Sequence, residues 1–177
     1  YVFLYFKYLP RGYAITAVLG KKSVMDSAKK SFISSAFWTE RIGSTAGLKT
    51  LEIMDKEKSW ETITKIGIQV QKKWKEIADK YDVNIEINGI PALSTFSFNH
   101  NNHMEFKTYL TQEFLKKGFL GTTSFYTSIV HTDEILNKYF EVFEEIFFEI
   151  SNCILDKKNI KDLLKSLTAH SGFKRLN

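Results

Sequence analysis

Two long stretches of this chain each place their apolar side chains on a single helical stripe, and that constrains the fold more than anything else in it. In residues 59–81 the stripe is Trp60, Ile63, Gly67, Val70, Trp74, Ile77 and Tyr81. In residues 132–150 it is Ile135, Tyr139, Val142, Phe143, Ile146, Phe147 and Ile150. A stripe of this period makes a helix with one face to bury. Between the two, residues 83–87 and 92–98 alternate apolar and polar around Asn88-Gly89, which reads as a hairpin turn between half-buried strands. Helices and strands in this order give an α+β fold, or an α/β fold if more strands are added.

Local signals support these elements. Ser59 and Thr132 are cap residues ahead of the two stripes, and Asp133 and Glu134 fall in the positively charged first turn of the second. Residues 104–117 are amphipathic and end at Gly118, a residue suited to a helix C-terminus. Residues 119–129 read as a short strand and loop, and residues 158–167 as a last short helix.

The N-terminal third reads differently. Residues 1–6 are an uninterrupted apolar and aromatic run, expected to be a strand buried on both faces. No turn or cap precedes it, so the chain is expected to begin inside a domain. Residues 14–19 form a second β-branched stretch. Residues 23–30 are a short helix with Ser23 as its cap, and residues 32–37 are extended. From 39 to 54 the residues Ile42, Ala46, Leu48, Leu51 and Met54 approximate a helical period, while Gly43, Ala46 and Gly47 would admit a close neighbour. A composition shift near Lys56 divides the chain into residues 1–56 and 57–177.

Composition excludes several classes. With 44% hydrophobic and 25% charged residues in 177, the chain can build an ordinary core. No apolar run is long enough to span a bilayer. The opening stretch is broken by Lys7 and has no cleavage-site pattern, so it is not read as a signal peptide. The single cysteine, Cys153, rules out an internal disulfide and suits a reducing cytoplasm. The net charge of +5 comes from lysines that alternate with glutamates, as in Lys72, Lys73, Lys75 and Glu76. The three arginines, Arg11, Arg41 and Arg175, are scattered, so no nucleic-acid face is expected. His100 and His103 have a metal-compatible spacing but no evident third ligand, so no metal is expected. His131 reads as structural, Glu144-Glu145 as a solvated pair, Arg41 as a partner for Glu40, and Arg175 as part of a solvated tail.

Three segments carry a family resemblance. Residues 7–15, Lys-Tyr-Leu-Pro-Arg-Gly-Tyr-Ala-Ile, resemble a lysine motif in which a lysine ends a buried strand and a Gly-Asn-Gly-Tyr-like turn follows. Residues 32–43, Phe-Ile-Ser-Ser-Ala-Phe-Trp-Thr-Glu-Arg-Ile-Gly, resemble a Ser-Ser-Thr-Phe-Trp-Thr-Glu-Arg segment, which the helix through Leu48, Thr50 and Leu51 continues. Residues 171–177 resemble the end of the same proteins. The family is the class-III aminotransferases of fold-type I, which depend on pyridoxal 5'-phosphate (PLP), and the branch is the glutamate-1-semialdehyde aminomutases. Only the C-terminal part of the family's sequence is matched.

The resemblance implies the C-terminal end of a large cofactor-binding domain followed by a small α+β domain. It implies a homodimer that moves an amino group between a small-molecule amine and a carbonyl compound, or within one molecule. Lys7 then occupies the Schiff-base position. On its own it is a lysine at the end of an apolar strand, whose stem could pack while its ammonium stays in water. A buried lysine with little counter-charge has a lowered pKa, as a nucleophilic amine requires.

The phosphate end departs from the pattern. Where the family places a threonine hydroxyl, reaching in from the partner subunit, this chain has Ala36. Ser35 is adjacent, but neighbours on an extended chain point to opposite faces. Loss of one hydrogen bond to a charged group costs about 1.5–3 kcal/mol, so weakened but not abolished cofactor binding is expected. Pro10-Arg11 replaces the Gly-Asn of the turn, fixing one φ, removing an N–H and adding a cation. Phe6 is bulkier than the family's usual residue. The aspartate for the pyridine nitrogen, the glycine-rich phosphate loop and the ring-stacking aromatic lie upstream of the lysine in this family, and no residue here matches them. The alternative expectation is therefore a non-catalytic truncated remnant that acts only as a structural or dimerisation module.

Overall fold

The computed structural model describes residues 4–7, 13, 15–28, 30, 39–170 and 172; for residues 4–7, 16–19 and 28 it describes the backbone alone. The chain is α+β and divides into two compact units, Tyr1–Ser59 and Trp60–Asn177.

In the first unit, strands β1 (Leu4–Lys7) and β2 (Thr16–Leu19) pair antiparallel, with Leu4 opposite Leu19 and Lys7 opposite Thr16. Among the described residues β1 has this one strand neighbour. Whether its side chains are buried on both faces lies outside what is described, as does the extended segment expected over residues 32–37. Helix α1 (Lys22–Ala28) starts one residue before the expected cap: the Lys21 carbonyl already accepts from the Val24 and Met25 amides, so Ser23 lies inside the first turn. Helix α2 (Ile42–Glu57) buries Gly43 and Gly47 and leaves Ile42, Leu48, Leu51 and Ile53 exposed. Its covered face is thus the small-residue face, and the expected apolar stripe is largely in solvent. Lys58, in the left-handed region at φ 45°, ends α2.

The second unit is built on the sheet order β3-β4-β5, all antiparallel: β3 (Ile85–Ile90), β4 (Leu93–Phe98) and β5 (Ser124–Tyr126). Ser94, Phe96 and Phe98 are buried while Leu93 and Ser97 are exposed, the alternation of a one-sided sheet. The expected hairpin is present, but its turn is not at Asn88-Gly89. Ile90 pairs with Leu93, so the loop is Pro91-Ala92, and Gly89 lies within the ladder opposite Ser94. Proline suits the first corner of such a turn. Gly89 is required there because its φ is +86° and a Cβ would lie 2.3 Å from the Leu93 carbonyl oxygen.

Helices α3 (Ser59–Lys80), α4 (His103–Lys116) and α5 (Asp133–Ile154) send side chains to the same sheet face. Trp74 of α3 meets Phe96 edge-on at 4.8 Å, Phe106 of α4 meets Phe98 at 5.6 Å, and Phe143 of α5 meets Phe96 at 5.7 Å. Trp74 also stacks on Phe143 and donates its indole N–H to the Tyr139 hydroxyl at 3.0 Å. Such aromatic pairs contribute about 0.5–1.5 kcal/mol each beyond area burial. Val70, Trp74 and Ile77 of the α3 stripe are buried as expected, but Trp60 at its start is 46% exposed. On α5 the stripe is rotated slightly, so that Leu136 is buried and Ile135 exposed.

End signals behave as the sequence indicates. The Thr132 side chain accepts from the Ile135 amide, and Gly118 follows α4 at φ +85°. Helix α6 is short, Ile160–Leu163, with only Ile160 buried. The hairpin tip sits tightly against α3: a Cβ on Gly67 would lie 1.9 Å from the Pro91 carbonyl oxygen. That carbonyl accepts from Ser94 Oγ at 3.3 Å and Thr127 Oγ1 at 3.0 Å.

Candidate functional site

The backbone makes Lys7 the last residue of β1, paired in register with Thr16 of β2. Nothing is described of its side chain. Ser35, Ala36 and the Pro10-Arg11 turn lie outside the described residues, so a meeting of Lys7 with Ser35 or Ala36 rests on the sequence. Tyr13 is half exposed, and Glu40 and Arg41 are exposed immediately before α2.

The histidines His100, His103 and His131 singled out in the sequence have structural partners. The Asn102 amide donates to His100 Nδ1 at 3.1 Å, and His103 Nδ1 lies 3.2 Å from the His100 carbonyl. The His100 ring also packs on Phe106 at 4.9 Å. Both rings are thereby committed to the start of α4, and among the described residues no group of three or more His, Cys, Asp or Glu could hold a metal ion. His131 Nδ1 accepts from the Ser128 amide and the ring packs on Phe125. Burial pushes the Cys153 thiol up, away from the reactive thiolate.

Glu144 and Glu145 are not a simple solvated pair. Glu144 accepts from Lys80 and from the Tyr81 hydroxyl, which ties α5 to the end of α3 across more than sixty residues of sequence. The Lys80 bond holds its carboxyl below the ordinary glutamate range. Glu145 pairs with Lys117 at 2.8 Å. A groove of about 310 Å³ lies between α4 and α5, lined by Tyr109, Glu113, Val142 and Glu149 among others. Its carboxylates are matched by lysines: Glu113 with Lys116, Glu145 with Lys117, Glu149 with Lys158.

Sequence reasoning missed the polar contacts made by single residues. Gln112 and Thr108 hold the C-terminal segment, and Ser94 and Thr127 hold the hairpin tip. No spacing marks any of them, because each partner is a backbone group brought close only by folding.

No protein-family model matches the chain. Among curated proteins it is 26% identical over 154 residues to a 3-aminobutyryl-CoA aminotransferase of Cloacimonas acidaminovorans, covering 84% of this chain and 37% of that one. It is 29% identical over 149 residues to a glutamate-1-semialdehyde 2,1-aminomutase of Methanococcus maripaludis, covering 75% and 35%. Among solved structures it matches the FumI protein of Sphingopyxis sp. MTA144, in its PLP internal aldimine form, at a TM-score of 0.71 and 18% identity over 88% of this chain and 38% of that one. An omega-transaminase from Sphaerobacter thermophilus matches at 0.68 and 13%, over 81% and 37%. The fold is that of part of a PLP transaminase, and the sequence likeness is to the C-terminal part of class-III aminotransferases and aminomutases. The chain spans little more than a third of the length of the curated relatives it matches.

Proposed function

We propose that this chain is the C-terminal portion of a PLP-dependent aminotransferase or aminomutase, with Lys7 as the residue that carries the cofactor. The observation that carries the reading is the combination of a transaminase fold over most of the chain with a lysine that ends β1. Residues 1–56 then belong to the end of the cofactor-binding domain and residues 57–177 to the small domain. The working form is a cytoplasmic homodimer that acts on a small-molecule amine and a carbonyl compound.

The chemistry of the donor set fits the cofactor in part. An amine at Lys7 is the nucleophile an aldehyde requires, and Ser35 offers a hydroxyl for a phosphate. Ala36 offers no donor at the neighbouring position. When bound, PLP supplies the aldehyde and an electron-withdrawing ring. Lys7 Nζ must be neutral to act as a nucleophile, and burial with little counter-charge would favour the neutral amine. The same nitrogen, once freed, would serve as the general base that takes a proton from the substrate carbon, provided it stays within hydrogen-bond reach. Ser35 would orient the phosphate, with one charge-assisted hydrogen bond fewer than a threonine at position 36 adds.

The test is PLP uptake by the 177-residue chain. The expected result is protein-bound visible absorbance that is absent in Lys7→Ala, with a cofactor mass fixed on Lys7 after borohydride reduction. Ala36→Thr is expected to tighten uptake about tenfold, from the value of one hydrogen bond to a charged group. Ala36 favours one second reading, a module that keeps the fold and has lost the cofactor; absence of bound PLP at any concentration, in Ala36→Thr as well, would support it.

A further inference from the structure

We infer that residues 165–170 are a releasable strap whose position is decided by two side chains of α4, Gln112 and Thr108. Gln112 reads the strap as a neighbouring strand would. Its Nε2 donates to the Leu163 carbonyl at 3.0 Å and its Oε1 accepts from the Lys165 amide at 2.7 Å. One helical turn earlier, Thr108 Oγ1 accepts from the Ala169 amide at 2.9 Å while donating to the Met104 carbonyl at 2.7 Å. The strap therefore runs back along α4 towards its N-terminus.

The two anchor points do not match in length. Thr108 and Gln112 are one helical turn apart, about 6 Å along the axis. Lys165 and Ala169 are also four residues apart, and extended chain of that length covers roughly 13 Å. The intervening residues must bow outward, and Leu167, near the crest, is 94% exposed. Side chains 165–170 are all exposed, so apolar burial does not hold the strap down. Leu163 and Leu164, which pack against the core, mark where burial stops.

The balance of terms makes the strap releasable. From residue 165 onward, the bonds from Gln112 and Thr108 hold the backbone to α4. A neutral hydrogen bond contributes about as much as fixing the backbone of a single residue costs. Six residues are ordered against this small number of bonds, so the detached state is populated alongside the docked one. Detachment exposes a helix flank on which Thr108, Gln112 and Glu113 stand together, with Gln112 Nε2 already 2.8 Å from Glu113 Oε1. The inference stands on the second unit alone and does not depend on the cofactor reading.

Amide hydrogen exchange on the 177-residue chain, read residue by residue, tests it. In the unaltered chain the Lys165 and Ala169 amides should exchange about 10- to 100-fold more slowly than free peptide, and far faster than the amides of α5. Gln112→Ala should bring Lys165 close to the free-peptide rate and loosen Ala169 as well. Thr108→Val, which keeps the side-chain shape, should release Ala169. Unchanged α5 exchange in each variant shows that the core is intact. Should Gln112→Ala disturb α5, Gln112→Met serves in its place, keeping the side-chain length and losing both the acceptor for Lys165 and the donor to Leu163. Two results would overturn the inference: Lys165 and Ala169 as protected as α5, which makes the segment a fixed part of the fold, or no change in either amide in any variant.

Discussion

The two units of the chain differ in what their described residues bury. Every buried apolar core residue among the described ones lies in the second unit, from Ile66 to Ile160. There Trp74, Phe96, Phe143 and Phe147 form a continuous aromatic lattice. The residues with a candidate role in chemistry, Lys7 and Ser35, all lie in the first, whose α2 covers two glycines and leaves four larger aliphatic side chains exposed. The difference teaches that the second unit holds its shape through its own packing. In the first unit, the residues that α2 buries have no side chain to pack.

The sharpest way to break this contrast is a pair of truncations. Trp74→Ala removes the centre of the lattice and leaves the Tyr139 hydroxyl without its donor, an expected loss of about 3–5 kcal/mol. Leu48→Ala, on the exposed face of α2, should change stability by less than about 0.5 kcal/mol. Denaturant unfolding of both variants checks this, and equal costs would show that α2 is supported as firmly as α3. A second measurement sharpens it within the second unit. Gly67→Ala places a methyl where the Pro91 carbonyl already sits, at an expected cost of about 1–3 kcal/mol. A neutral result would mean that the hairpin tip does not seat against α3 as described.

The smallest effect is electrostatic. Lys80 lowers the Glu144 pKa in the folded state, so the folded state binds this proton less readily than the unfolded one. The stabilisation is therefore present above the ordinary value of 4.5 and is lost as pH falls below it. The pair is largely in solvent, so the change should stay below about 1 kcal/mol and shrink with added salt. Comparing the acid limb of the stability profile with that of Glu144→Gln isolates it; identical limbs would remove the link between α3 and α5 from the account.

Legibility in the sequence followed periodicity. The long stripes of α3 and α5, the Thr132 cap and the Gly118 stop were readable because each rests on a repeating or local pattern. The turn was misplaced because Asn88-Gly89 is a strong local signal, and a competing one prevailed. Burying Ser94, Phe96 and Phe98 on one face puts Ile90 opposite Leu93, and the glycine serves a close backbone approach inside the ladder. Ile135 and Leu136 are adjacent, and which of them turns inward depends on where α5 crosses its neighbours. The Glu144 contacts and the Gln112 and Thr108 anchors join residues more than fifty positions apart, and no pattern in a single sequence encodes them. For the candidate site, a lysine at a strand end was legible. The hydroxyl position was legible only through the family motif, as the departure at Ala36.

The setting of Trp74 has an optical consequence. Its indole is wholly shielded from water and lies against Phe143, whereas Trp60 is half in solvent. Emission from the first should be blue-shifted relative to the second and poorly reached by aqueous quenchers. The second unit thus contains its own fluorophore, able to report its opening without any attached dye.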